Sequence, residues 1–138
     1  MKVEISKRYG FENTSFQAAG GVDGITQLVR AFYTIMETLP EARELRDMHP
    51  QDIEESIDKL ARFLCGWLGG PKLYREKYGK INIPQAHQHL AVTQENHDAW
   101  LTCMDQAIDQ QDYPKDFSSY LKTQLRVPAN RILELANN

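Results

Sequence analysis

Apolar side chains recur at intervals of three and four along most of this chain, the spacing that lays one hydrophobic stripe along one face of an α-helix. Ile25, Leu28, Val29, Phe32, Ile35, Met36 and Leu39 make the first stripe, with Asp23 placed to cap it and Pro40 to end it. Glu41 to Arg46 has room for one or two further turns before Met48-His49-Pro50, where the residue ahead of a proline is pushed out of helical geometry. Asp52 and Glu55 have the spacing of a capping box, and Ile53, Ile57, Leu60, Ala61, Leu64, Trp67 and Leu68 follow on one face. Thr93 caps a further helix, with Glu95 in its first turn and Trp100, Leu101, Met104, Ala107 and Ile108 facing inward. Past Tyr113-Pro114, a last helix from about Asp116 carries Phe117, Tyr120, Leu121, Leu125, Ile132 and Leu135; Pro128 is expected to kink it by removing one ladder hydrogen bond. No pair of alternating segments reads as strands, so the expected fold is all-α.

Four substantial helices and short connectors would make a plain bundle, but the stretch GWLGGPKLYREKYGKINIPQAHQHLAV, residues 66–92, breaks that pattern. A strong helix stops at Gly69-Gly70-Pro71, and about twenty residues pass before Thr93. Connections of that length are uncommon in compact domains unless they serve a site. Leu73, Tyr74, Tyr78, Ile81, Ile83, Leu90 and Val92 give the interval enough apolar surface to pack against something.

Composition narrows the classes. At 138 residues, 41% hydrophobic and 25% charged, the chain suits one soluble domain. A net charge of −3 with no basic cluster argues against nucleic acid as a partner; the start, MKVEISKRYGFEN, lacks the apolar centre of a signal peptide and the longest near-apolar run, Phe63 to Gly70, is too short to span a membrane, so the cytoplasm is the expected compartment. Cys65 and Cys103 each sit inside a helical pattern with no CxxC or CxxCH, as reduced buried thiols would.

The four histidines do not form a metal motif by themselves. His87 and His89, two apart, point to different sides of a regular helix, and no acidic residue completes an HExxH or carboxylate pair, so a two-His zinc or di-iron site is unsupported. His97, beside Asp98 in a first helical turn, is expected to be exposed. His49 suits either a turn or a pocket.

The words Phe32-Tyr33, Met48-His49-Pro50, Phe63-Leu64, Trp67-Leu68-Gly69-Gly70-Pro71, Leu73-Tyr74, Tyr78-Gly79, His87 with Leu90 and Val92 after it, and Asp98-Ala99-Trp100-Leu101-x-Cys103-Met104 stand in unbroken order. Together, over about residues 16 to 110, they resemble the truncated haemoglobins, specifically their second group. The resemblance implies a two-over-two helical sandwich around haem b, with an extended loop replacing most of the proximal helix. Residues 1–15 then form an N-terminal extension and 16–138 the truncated globin domain.

By the same resemblance His87 is the proximal iron ligand, since apolar residues follow three and five positions later and a tryptophan thirteen later, here Leu90, Val92 and Trp100. That role asks for a neutral imidazole whose second nitrogen is held by a hydrogen bond. The distal side falls on Tyr33, His49 and Trp100, with Ser56 and Leu60 facing the pocket and Phe63 among its walls. A diatomic ligand held by iron gathers negative charge, and donors aimed at it from a dry pocket slow its escape. His49 or Tyr33 is also placed to act as a sixth ligand when the iron is oxidised. Without the resemblance, Tyr33 and Trp100 read as core residues and His49 as a turn residue.

One departure from the family pattern concerns the haem propionates. Family members commonly carry arginines three and one positions before the ligand, where this chain has Pro84 and Ala86. Lys59 and Tyr74, then Arg62 and Lys72, are the substitutes, although surface roles suit Arg62 and Lys72 as well. Three functional classes follow: a haem protein binding dioxygen, nitric oxide or related diatomics, with nitric oxide or peroxide turnover if a reductase supplies electrons; a haem-based redox or gas sensor; and a cofactor-free helical interaction module.

Overall fold

The computed structural model describes residues 9–80 and 92–136. Seven α-helices are present among them: α1 (Thr14–Ala18), α2 (Gly21–Thr38), α3 (Arg43–Asp47), α4 (Glu54–Trp67), α5 (Leu73–Tyr78), α6 (Gln94–Asp109) and α7 (Lys115–Ala136), with a single 3-10 turn at Pro40–Ala42. The described residues contain no strand. Helix α2 packs on α4, α6 packs on α7, and α2 meets α6 across the interface, which makes the two layers of a two-over-two sandwich.

The stripes read from the sequence become this core. Ile25, Leu28, Val29, Phe32 and Met36 of α2 are fully buried, as are Cys103, Ala107 and Ile108 of α6 and Phe117 of α7. Each large apolar side chain removed from water contributes about 1.5–3 kcal/mol. Cys65 and Cys103 are free, buried thiols. Burial pushes the Cys103 thiol up to about 11 and raises Cys65 as well.

Helix ends differ from expectation in two places. Helix α2 starts at Gly21 after Gly20, whose φ of +93° suits glycine alone, so Asp23 lies within the first turn and does not cap it. At α4 the N-cap position is Ile53, and Asp52 Oδ1 instead accepts from the Glu54 amide at 3.1 Å, while Glu55 pairs with Lys59. Thr93 caps α6 as expected, accepting from the Asn96 amide at 3.1 Å. Helix α7 runs through Pro128 without a break.

The Gly69-Gly70 pair closes α4 through two backbone bonds, Gly70 N–H to Cys65 at 2.8 Å and Gly69 N–H to Gly66 at 3.1 Å, with Gly69 at φ +93°. A Cβ on Gly69 would stand 1.9 Å from the Glu12 carbonyl oxygen. Glu12 and Asn13, within the expected extension, are therefore in close contact with the end of α4, and the Phe16 amide donates to Leu68 at 3.0 Å. Tyr9 is buried against Phe117 and Tyr120, with ring centroids 5.0 and 5.2 Å away.

Candidate functional site

Helix α2, the turn after α3 and helix α6 bring four aromatic rings into one row. Trp100 meets Phe32 edge-on at 5.2 Å, Phe32 meets Tyr33 at 4.9 Å, and Tyr33 meets the His49 ring at 5.5 Å. Phe32 is wholly buried in the core stripe, and its neighbour Tyr33, a hundred degrees around the helix, opens toward His49 while remaining only 6% exposed. The Tyr33 hydroxyl makes no hydrogen bond to any described residue. No fully buried polar side-chain atom among the described residues lacks a partner, so this hydroxyl, on an otherwise buried ring, keeps contact with open space. Burial raises the phenol well above its ordinary 10.0, against a smaller opposing effect of the Arg46 charge, so it stays a protonated donor through the neutral range.

His49 follows α3 in a turn. Its Nδ1–H donates to the Leu45 carbonyl at 2.9 Å, and its backbone amide donates to Arg46 at 3.0 Å. With that proton fixed, the neutral ring carries its lone pair on Nε2, which suits a metal ligand or an acceptor better than a donor. Asn96, buried in the first turn of α6, places its amide 3.4 Å from Glu44 Oε1 and from the Met48 sulfur, so the His49 turn is fastened to the helix that carries Trp100. Neither apolar spacing nor the family motif singled out Asn96. Its signal was a lone polar residue at a position four before the inward-facing Trp100.

Leu60 and Phe63 on α4, Trp100 on α6 and Val92 just ahead of α6 are half-buried, whereas Ile57, Ala61, Leu64 and Cys65 on α4 and Ala99, Cys103 and Met104 on α6 are buried. Both helices thus present an apolar margin that the chain covers incompletely. His87 and Leu90, assigned with these residues, and His89, Pro84 and Ala86 lie outside the described residues.

At the other edge of α4, charge dominates. The Asp58 carboxylate accepts from Tyr78 at 2.6 Å, Lys77 at 2.8 Å and Arg62 at 2.9 Å, which ties α5 to α4 and holds Asp58 far below the usual carboxylate range. Lys59 pairs with Glu55 at 3.3 Å and lies 5.3 Å from the Tyr78 ring centroid; Tyr74 packs on Tyr78 at 5.0 Å. Of the groups named as propionate partners, Arg62 is engaged within the protein, Lys59 is half free to solvent, and Lys72 is exposed.

The expected exposure of His97 is not what the structure shows. Its side chain is 9% exposed, with Nε2 2.7 Å from Asn130 Oδ1 on α7 and Nδ1 2.9 Å from Asp98 Oδ1. It joins the start of α6 to the end of α7. Among the described residues no three His, Cys, Asp or Glu side chains form a metal cluster, and no helix is long and apolar enough to cross a membrane. A surface cleft of about 300 Å³, between Gly10–Ser15, the end of α4 and α7, includes none of the aromatic row.

Comparison with known proteins agrees with this geometry. The model of the bacterial-like globin family matches residues 14–127. A group 2 truncated haemoglobin of Bacillus subtilis is 31% identical over 121 residues, covering 88% of this chain and 89% of the relative. Among solved structures, the cold-adapted truncated haemoglobin of the Antarctic marine bacterium Pseudoalteromonas haloplanktis superposes with a TM-score of 0.83 at 29% identity, over 86% of this chain and 96% of that one. A truncated oxygen-avid haemoglobin from Bacillus subtilis gives a TM-score of 0.79 at 31% identity, over 86% and 98%.

Proposed function

Because the chain belongs to the bacterial-like globin family, as a truncated haemoglobin of the second group, we propose that it holds haem b beside the aromatic row and binds dioxygen and related diatomic ligands reversibly. The observation that carries this reading is the aromatic row, in which the Tyr33 hydroxyl makes no hydrogen bond to a described residue, beside an apolar margin left half-covered. The oxygen-avid relative supports dioxygen as the ligand.

Haem would supply an iron able to bind an imidazole and a diatomic ligand. Leu60, Phe63, Val92 and Trp100 would form the apolar wall, to which the family pattern adds Leu90. Covering several hundred Å² of porphyrin at about 25 cal/mol per Å² supplies on the order of 10 kcal/mol of gross attraction. His87 would hold the iron. Tyr33 would donate to a bound diatomic ligand, with the Trp100 indole N–H as a second donor. His49, with its proton committed to Leu45, provides the lone pair that suits a sixth ligand in the oxidised protein. Lys59 and Tyr74 would pair with the propionates. The absence of a CxxCH word agrees with non-covalent attachment. Nitric oxide or peroxide turnover is the enzymatic extension of this reading and requires a reductase.

Titrating haemin into cofactor-free protein tests the proposal. The expected result is one haem per chain with a sharp Soret band and reversible dioxygen binding after reduction. A protein that stays folded, colourless and without stoichiometric uptake would contradict it and leave the helical interaction module.

A further inference from the structure

Arg46 lies in the last turn of α3, and only 18% of its side chain is exposed. Its guanidinium is spent on three acceptors. Nη1–H donates to the Pro50 carbonyl at 3.0 Å, Nη2–H to the Gln51 carbonyl at 3.0 Å, and Nε–H to Glu37 Oε1 at 3.2 Å. The first two grip the backbone just beyond His49. The third reaches α2 at a residue four positions after Tyr33, on the same helical face. The Arg46 carbonyl also accepts the His49 amide at 3.0 Å, so both the side chain and the main chain of Arg46 enclose the turn that carries the imidazole.

We infer that Arg46 is a positioning residue: its planar fork fixes the His49 turn against the Tyr33 end of α2, and so sets the 5.5 Å spacing of the two rings that face the ligand side. The inference rests on the proposed haem site for its functional meaning, though the clamp itself is a property of the protein alone. A fork is needed because two carbonyls in different directions must be held at once. Lysine carries the same charge but reaches only part of this acceptor set. With the clamp removed, the backbone beyond His49 loses its ties to Arg46 and, through it, to α2, and the imidazole gains freedom to shift relative to Tyr33.

The test compares Arg46→Met, Arg46→Lys and Glu37→Gln with the parent protein by two measurements. The first, on cofactor-free protein, is hydrogen exchange at the His49 Nδ1–H by ¹⁵N NMR, with exchange of buried α6 amides as the control for global stability. Exchange at His49 should quicken about tenfold or more in Arg46→Met, nearly as much in Arg46→Lys, and least in Glu37→Gln, while the α6 amides keep their protection. The second, on haem-loaded protein, is the C–O stretch of the carbon monoxide complex together with the ferric spin state; a split stretch and a larger low-spin fraction are expected in the same order. Unchanged His49 exchange and an unchanged stretch in Arg46→Met at full haem content would overturn the inference, as would full rescue by Arg46→Lys. If Arg46→Met fails to fold, the Lys and Gln variants carry the same comparison. If the parent takes up no haem, the proposed function fails, while the NMR measurement still decides whether Arg46 positions His49.

Discussion

The aromatic row and the Asp58 corner sit on neighbouring parts of one small fold, yet they are built on opposite terms. Around Phe32, Tyr33 and Trp100 there is little polar chemistry, and Tyr33, only 6% exposed, makes no hydrogen bond to a described residue. Around Asp58 three donors converge on one carboxylate that is 32% exposed, and every group is satisfied. Unsatisfied polarity is expensive where water is excluded and cheap where it is present. The dry region takes its stability from packing, and the wet region spreads modest stability over many weak contacts.

Substitutions should separate the two regions, and the largest effect belongs to the dry one. Phe32→Ala removes a fully buried ring that contacts both Tyr33 and Trp100, and urea unfolding of the cofactor-free protein should show a loss of about 3–5 kcal/mol. Tyr33→Phe keeps the ring and deletes the unpaired hydroxyl. It should leave the cofactor-free protein as stable as before or slightly more so, yet speed ligand release from the loaded protein roughly ten- to hundredfold by stopped flow, the equivalent of a lost hydrogen bond of about 1.5–3 kcal/mol. Equal release rates would show that the hydroxyl does not face the ligand.

In the wet corner, Asp58→Asn should cost about 1 kcal/mol at neutral pH once solvent screening is allowed for. The Asp58 carboxyl is depressed in the folded state, so its contribution is complete above the ordinary carboxylate value of 3.8 and fades as pH falls below it. The gap between parent and variant in chemical denaturation should therefore close in that acid range; a gap independent of pH would mean that packing, not charge, was lost. Smallest of all, Lys59→Ala removes an exposed pair with Glu55 and should leave the unfolding midpoint of the cofactor-free protein unchanged.

Much of the fold could be read from apolar spacing because each stripe is a local property: α2, α4, α6 and α7 appear where the periodicity places them, and the Thr93 cap and the Gly69-Gly70 stop are single-residue signals. Tyr33, His49 and Trp100 were named from family motifs, and the structure brings them into one row. What stayed hidden depends on partners distant in sequence. His97 is covered because Asn130 arrives on α7, thirty-three positions later. Asp23 gave way as a cap because Gly20, in a left-handed conformation, starts α2 earlier. Arg46 and Asp58 were not singled out, since a long or acidic side chain carries no periodic signature and its partners are set only when α2, α4 and α5 have packed.

The coordinate bond from position 87 remains the claim on which the functional account depends. Resonance Raman spectra of the ferrous protein and of His87→Gly, with and without added imidazole, address it directly. The account predicts an iron–imidazole stretch in the parent, its loss in the variant, and its return when free imidazole fills the gap. An unchanged stretch in His87→Gly would assign the axial bond to another residue and contradict the account.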